Sequence, residues 1–482
     1  MTFELCDRPA TELRREILAG HLSARELLAA HVERIGQCNP QVNALVTLDF
    51  DAAFAQAARA DDLQAQGKPL GLLHGLPIVH KDCFLTRGMR TTQGSPLYRD
   101  HVPEVSSLLV QREQAAGAIT LGKSNIPEFC AGSHTFNTVF GATRNPYDLS
   151  RSAGGSSGGA AAALACGMTA LADGSDMGGS LRNPASFCNV VGLRPSPGRV
   201  PQWPTLNPFN ALTVVGPMGR TVGDVALLLA AMAGPDARDP LSIDQDPSCF
   251  LGPLERHVAG TRVAFAARWG GLPMEASVMQ VTAAQLPVLE RLGCQVTEAC
   301  PDFSQADDAF QTLRGVAFQL AYGELAARQP DAFKAAMHWN INVGRAATGS
   351  AVARAEKARA ALFQQMHGFM QSYDFLIGPV SQVAPFPVEW DHVETIEGTP
   401  MQHYIDWMRS GYYLSVTGHP AISVPCGFTE DGLPIGLQIV GRYRQERALL
   451  EFAHAFEQAV SCRARQPPLL AAHRHGLSSS LS

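Results

Sequence analysis

SRSAGGSSGGAAAALACGMTALADGSDMGGSLRNP, residues 150–184, is the stretch on which the fold reading turns. Two Gly/Ser-rich loops bracket one helix-like apolar run, 160–172. Gly154, Gly155, Gly158 and Gly159 surround Ser156 and Ser157, while Gly174, Gly178 and Gly179 lead into Ser180. Glycine has no Cβ and admits conformations closed to other residues. Loops of this kind suit main-chain N–H groups aimed at a reacting oxygen. A single Gly-rich loop reads as a flexible turn. Two loops, each setting a serine among glycines, point to chemistry instead. Upstream, GLPIVHKDCF (75–84) reads as a short buried strand at Ile78 and Val79 with Lys81 at its end. Burial disfavours an ammonium and lowers a lysine's pKa, and a neutral lysine is a base.

GGSSGG, DMGGSLR and the upstream lysine together closely resemble the amidase signature family. The similarity covers most of the chain and is weakest between Asp244 and Tyr373. It implies an α/β fold, a central mixed β-sheet covered by helices on both faces. It also implies hydrolysis of a carbon–nitrogen amide bond without metal or cofactor. In that reading Ser180 is the nucleophile, and Ser156, on a cis peptide after Gly155, bridges it to Lys81. The main-chain N–H groups of Met177, Gly178, Gly179 and Ser180 bind the oxyanion, and Ser157 supports the site. Asp176 and Arg182 flank the hole as loop-holding partners. The segment after Pro127 and Glu128 lines the acyl pocket in the family, which places Cys130 there by position. Phe129, Cys130, Phe136 and Trp203 are the pocket candidates. Being apolar, they suggest a neutral aryl or aliphatic amide, with carbamates and esters open to the same acyl-enzyme chemistry. Family members are often dimers. Three residues depart from the common pattern without removing a catalytic atom: Cys83 after Lys-Asp, Ala153 before Gly154, and Ser175. Cys83 raises the prospect of oxidation sensitivity beside Lys81.

The 482 residues, 46% hydrophobic and 17% charged, have an ordinary core-forming composition. A net charge of −6 gives no basic footprint for nucleic acid. Eleven cysteines, with no CxxC pair, read as reduced thiols in a cytoplasmic protein. The charged N-terminus lacks a signal peptide's apolar core, and the longest apolar run is too short to span a bilayer. A single domain is expected over 1–470. It would comprise N-terminal helices to 70, a signature core at 71–243, a variable pocket region at 244–373 and a C-terminal return to the core. The tail at 471–482 reads as disordered, and His473 and His475 alone make an incomplete metal site.

Along the chain, residues 11–35 read as two helices parted by Gly20, the second opened by a Ser23/Glu26 capping box. GAITLGKS (117–124) fits the phosphate-loop pattern letter for letter. A helix-like segment precedes it and its interior is strand-like, so the fit is rejected. Residues 203–212, aromatic and Pro-rich, are expected to form a loop that either covers the pocket or merely packs on the surface. Further on, strands are expected at 263–265 and 295–297, with helices at 276–292, 351–370 and 447–460. This alternation supports α/β architecture.

Three rival readings remain. Residues 154–158 also match the G-x-S-x-G elbow of α/β-hydrolase esterases, with Asp374 and His419 as acid and base. The glutaminase subunit of a tRNA-dependent amidotransferase shares the same signature. A catalytically dead binding protein is the third, against which stand the intact Lys81, Ser156 and Ser180.

Overall fold

The computed structural model describes residues 2–460 and 462–471. The expected tail beyond Ala471, with His473 and His475, lies outside the described residues. The strands that build the main sheet are β1 (Leu45–Leu48), β2 (Pro77–Lys81), β3 (Ile119–Ser124), β4 (Leu171–Asp176), β5 (Val191–Arg194) and β6 (Val214–Gly219). They continue with β7 (Arg262–Phe265), β8 (Gln295–Glu298), β9 (Phe375–Pro379), β10 (Ala421–Phe428) and β11 (Pro434–Val440). Their order across the sheet is β1-β3-β2-β4-β6-β5-β10-β11-β9-β7-β8.

The sheet is mixed. β2 runs parallel to β3 and β4, and β7 runs parallel to β8 and β9. The remaining pairs are antiparallel. Every residue of β2, β3, β5, β6, β9 and β11 is buried. A strand buried at successive positions is covered on both faces. The edge strand β8 is largely exposed, as its polar sequence QVTE requires.

The N-terminal helices follow the sequence signals. Helix α1 (Ala24–Val42) opens with the Ser23/Glu26 capping box, both reciprocal bonds being present. Its stripe buries Leu28 and Ile35, with Val32 half-buried. GAITLGKS is a turn followed by strand β3. Gly122 is required there because a Cβ would sit 2.0 Å from the Thr47 carbonyl oxygen of β1. Lys123 is buried and donates to Thr86 Oγ1 at 2.7 Å.

Two expected helices are divided. The apolar run 160–172 is helix α2 (Gly158–Ala165) followed by the start of β4. Gly167, at φ +67, ends the helix, a conformation that glycine adopts without a Cβ penalty. The expected helix 276–292 is two, Ala276–Ala283 and Leu286–Arg291. Pro287 lacks an N–H and is tolerated only in a helix's first turn, so the second helix begins there. The region 299–346 adds two helices that no sequence signal singled out, α3 (Ala306–Arg328) and α4 (Ala335–Ala346).

The glycines of the first serine loop have a packing reason. A Cβ on Gly159 would lie 2.3 Å from the Asn125 nitrogen and 2.6 Å from the Ala44 oxygen, both backbone atoms. Gly36, within α1, faces nothing within 4 Å. Gly159→Ala is therefore expected to lose about 1–3 kcal/mol to overpacking, despite alanine's better helix propensity. Gly36→Ala is expected to be neutral or to gain up to ~1 kcal/mol. Thermal denaturation of the two variants checks the contrast.

Candidate active site

Strand β2 carries Lys81 to the sheet's end, where its side chain is fully buried. Lys81 Nζ donates to Ser156 Oγ at 2.7 Å and to Ser175 Oγ at 3.0 Å. Thus Ser175, one of the departures noted in the sequence, is a direct partner of the lysine. The Gly155–Ser156 peptide is cis. Ser180 follows the Gly178-Gly179 turn and opens on the same cavity as Ser156. Its hydroxyl makes no hydrogen bond among the described residues, so the Lys81–Ser156 contact is formed and the Ser156–Ser180 link is not. Catalytic hydrogen bonds are commonly long before substrate binds.

Asp176 ends β4 and organises the loop after it. Its carboxylate accepts from the Gly179 N–H at 2.9 Å and the Leu181 N–H at 3.2 Å. It also accepts from Arg182 Nη2 at 2.9 Å and Arg194 Nη1 at 3.2 Å. Burial opposes the carboxylate's charge, but the two guanidinium groups outweigh it and hold the carboxyl well below its usual range. Arg182 reaches onward to Gln438 Oε1 at 2.6 Å and Ser415 Oγ at 3.0 Å, tying the loop to the C-terminal strands.

This clamp corrects one expectation. The Gly179 N–H is engaged by Asp176 and does not face the cavity as an oxyanion donor. Gly179 instead supplies the turn, at φ +113 with the Asn183 side chain 3.1 Å from a Cβ position. The amides of Met177, Gly178 and Ser180 have no hydrogen-bond partner among the described residues. Ser157 donates its N–H to the Ser180 carbonyl at 3.2 Å, linking the two serine loops.

The cavity has a volume of about 630 Å³, and Phe129, Cys130 and Trp203 line it. Phe136 does not. Its ring packs 4.9 Å from His134, with Lys334 Nζ 5.1 Å above it, which turns it away from the opening. Phe129 and Cys130 both adopt positive φ, 49° and 58°. Non-glycine residues there carry backbone strain that surrounding structure must hold. The result places the Cys130 thiol against Cys83 and Ser156. Its hydrogen bond with Cys83, helped by the Lys81 charge, brings Cys130 down to about 6, while the Cys83 thiol is pushed up. Among the described residues no cysteine is in a disulfide.

No sequence signal announced the far wall. Helix α3 supplies Arg314, Phe318 and Tyr322 to the cavity. Phe129 lies 4.6 Å from the Tyr322 ring and stacks on Phe333 at 5.4 Å. Residues 203–212 have no regular structure, and Leu206 within them lines the cavity while 76% exposed.

Behind Lys81 lies a buried cluster of His80, Glu113 and Asp173, the one group of metal-ligand type among the described residues. His80 Nδ1 bonds Asp173 Oδ2 directly at 2.6 Å and sits 3.2 Å from Glu113 Oε2. Donor atoms bound to one another in this way share protons. Asp173 also accepts the Lys81 main-chain N–H at 2.6 Å. Burial opposes the imidazolium, but Asp173 and Glu113 overcome it and lift His80 to about 9. Burial and the Asp173 charge push Glu113 up to about 8.

The esterase alternative lacks its geometry. Asp374 pairs with Arg262 and Arg442. His419 Nδ1 lies 3.1 Å from the Thr417 carbonyl oxygen, and the residue is absent from the cavity wall. The partner of Ser156 is Lys81.

Known proteins resemble this chain over nearly its whole length. The Amidase family model matches residues 26–450. An acylamidase of Rhodococcus erythropolis is 36% identical over 455 residues, covering 93% of this chain and 94% of that protein. One glutamyl-tRNA(Gln) amidotransferase subunit, from Synechococcus sp. (strain CC9605), is 35% identical over 491 residues, covering 96% and 98%. The crystal structure of a bacterial aryl acylamidase of the amidase signature family superposes with a TM-score of 0.87 at 28% identity, covering 94% and 96%. The chain belongs to the amidase signature family and is an amidase, a hydrolase of carbon–nitrogen amide bonds. No helix among the described residues is long and apolar enough to cross a membrane.

Two measurements test the buried groups. Glu113 keeps its proton in the folded state above the ordinary value of 4.5 and up to about 8. The folded state therefore binds more protons across that window, and this residue's contribution to stability falls as pH rises. The melting temperature of Glu113→Gln relative to the native protein is expected to climb between about pH 5 and pH 8. Second, hydrogen peroxide is expected to join Cys83 and Cys130, the thiols giving up two hydrogens as peroxide is reduced to water. Activity is expected to fall, to return with dithiothreitol, and to resist peroxide in Cys83→Ala.

Proposed function

We propose that the protein is a stand-alone amidase acting on a small amide through an acyl-Ser180 intermediate. One observation carries this reading: Lys81 Nζ, fully buried, lies 2.7 Å from Ser156 Oγ on the wall of a cavity shared with Ser180. A serine hydroxyl needs a base to become a useful nucleophile. In the proposed sequence Ser180 Oγ attacks the amide carbon and passes its proton to Ser156 Oγ. Ser156 passes its own proton to Lys81 Nζ. The amides of Met177, Gly178 and Ser180 stabilise the oxyanion, where each donor is worth about 10²–10³ in rate. Lys81 then returns the proton through Ser156 to the leaving nitrogen. Water enters, loses a proton along the same path, and releases the acid.

The aromatic wall of Tyr98, Phe129, Phe318 and Tyr322 supports an apolar acyl group, aryl or aliphatic. Esters and carbamates offer the same attack at a carbonyl carbon. The second reading, a glutaminase subunit, is favoured by the glutamyl-tRNA(Gln) amidotransferase subunits among the relatives, at 34–35% identity. Asp176 and Arg182 serve as loop holders, and the chain is proposed to act as a homodimer in the cytoplasm.

Ser180→Ala and Lys81→Ala are each expected to lower kcat/KM on an acyl anilide by at least about 10³. His419→Ala is expected to retain turnover. A fluorophosphonate is expected to add one covalent mass to the native protein and none to Ser180→Ala. Full activity in Lys81→Ala would overturn the proton path. Glutamine hydrolysis faster than anilide hydrolysis would favour the glutaminase reading.

A further inference from the structure

Arg314 enters the cavity from helix α3 and is 4% exposed. A buried cation is normally matched by a carboxylate, because desolvation is otherwise uncompensated. Arg314 forms no ion pair among the described residues. Its three hydrogen bonds go to neutral acceptors: Asn340 Oδ1 at 2.8 Å, Tyr404 OH at 2.9 Å and the Met177 thioether at 3.1 Å. An arginine carries five N–H donors, so two are left after these bonds, and a third is spent on a weak sulfur acceptor. Phe318 covers the guanidinium at 4.5 Å from its ring centroid. Lys334 feels the charge of Arg314, has the same sign, and has Glu128 and Asp391 as its own counter-charges.

Other buried arginines of this chain are satisfied differently. Arg182 and Arg194 share Asp176, and Arg199 pairs with Glu446. Arg314 therefore stands out by both its cavity position and its neutral partners. It is held in place by α4 through Asn340 and by Tyr404, so its orientation is fixed before any ligand arrives. Met177, its sulfur partner, immediately precedes Gly178, Gly179 and Ser180. The guanidinium thus sits beside the reacting loop, next to the aromatic wall.

We propose that Arg314 determines specificity by receiving a carboxylate on the acyl side of the substrate, with oxygen replacing the Met177 sulfur as acceptor. This rests on the amidase reading and departs from its wholly apolar acyl group: the substrate becomes an amide whose acyl group is apolar along its length and anionic at its end, such as a dicarboxylic acid monoamide. Paired N–H donors of an arginine fit a carboxylate in a two-bond geometry that a neutral ester does not match in charge.

The test uses a series of monoanilides of straight-chain dicarboxylic acids, four to seven carbons long, each beside its methyl ester. In the native enzyme the free acid of at least one length is expected to exceed its ester in kcat/KM by at least about thirtyfold. That ratio is expected to collapse at least about tenfold in Arg314→Met and to recover in part in Arg314→Lys. A merely structural arginine would lower both members of a pair together and leave the ratio unmoved. Calorimetric binding of the same pairs to Ser180→Ala supplies a readout without turnover, with the acids expected to bind more tightly and to weaken with salt. Equal binding of acid and ester at every length, or an unchanged ratio in Arg314→Met, overturns the assignment. Tight binding of the acid with no anilide cleaved by the native protein would overturn the amidase reading alone.

Discussion

A single buried carboxylate sets the geometry of the loop that carries Ser180. Asp176 has no solvent to stabilise its charge, so it is stable only with its partners in place. Those partners come from several parts of the chain: loop amides, Arg182 two residues after Ser180, and Arg194 on β5. Arg182 extends the set to Gln438 on β11 and to Ser415. The loop that carries Ser180 is therefore anchored to the middle of the sheet rather than free at its end. Low local dielectric strengthens such a network when it is satisfied and makes any missing member costly.

Lys81 is held by a second arrangement of the same kind. Asp173, three residues before Asp176 on β4, accepts the Lys81 N–H and His80 Nδ1. Parallel pairing of β2 with β4 brings these residues side by side. The lysine's backbone is thus fixed from below, while Ser156 and Ser175 fix its amine from above. Two aspartates on one strand hold Lys81 on one side and the Ser180 loop on the other. The tight glycines at 158 and 159 let α2 press against Thr135, Asn125 and Ala44, which keeps Ser156 at the junction.

The cavity has a different origin from the reacting centre. Its inner edge comes from β4 and the serine loops, while its far wall comes from α3 and from the loop after Trp203. Phe129, Phe318, Phe333, Met337 and Ile341 form a small apolar cluster apart from the main core. A wall with its own packing is able to change without disturbing the sheet. That separation fits a shared reaction centre serving differing acyl groups.

Local signals made the reacting centre legible. Gly-rich loops around Ser156 and Ser180, and an apolar strand ending in Lys81, announce themselves because glycine and burial act within a few residues. The capping box of α1 and the strand reading of GAITLGKS were legible for the same reason. Sequence also determined that Asp176 lies close to Ser180, but the engagement of the Gly179 amide by its carboxylate depends on a turn only the folded loop defines. Phe136 was misplaced because it and Phe129 look alike in sequence until packing aims one of them inward. Arg314 was invisible, since an arginine on an amphipathic helix ordinarily faces water. Only tertiary structure brings α3 across the cavity and buries that charge, because its contact with Met177 joins segments 137 residues apart.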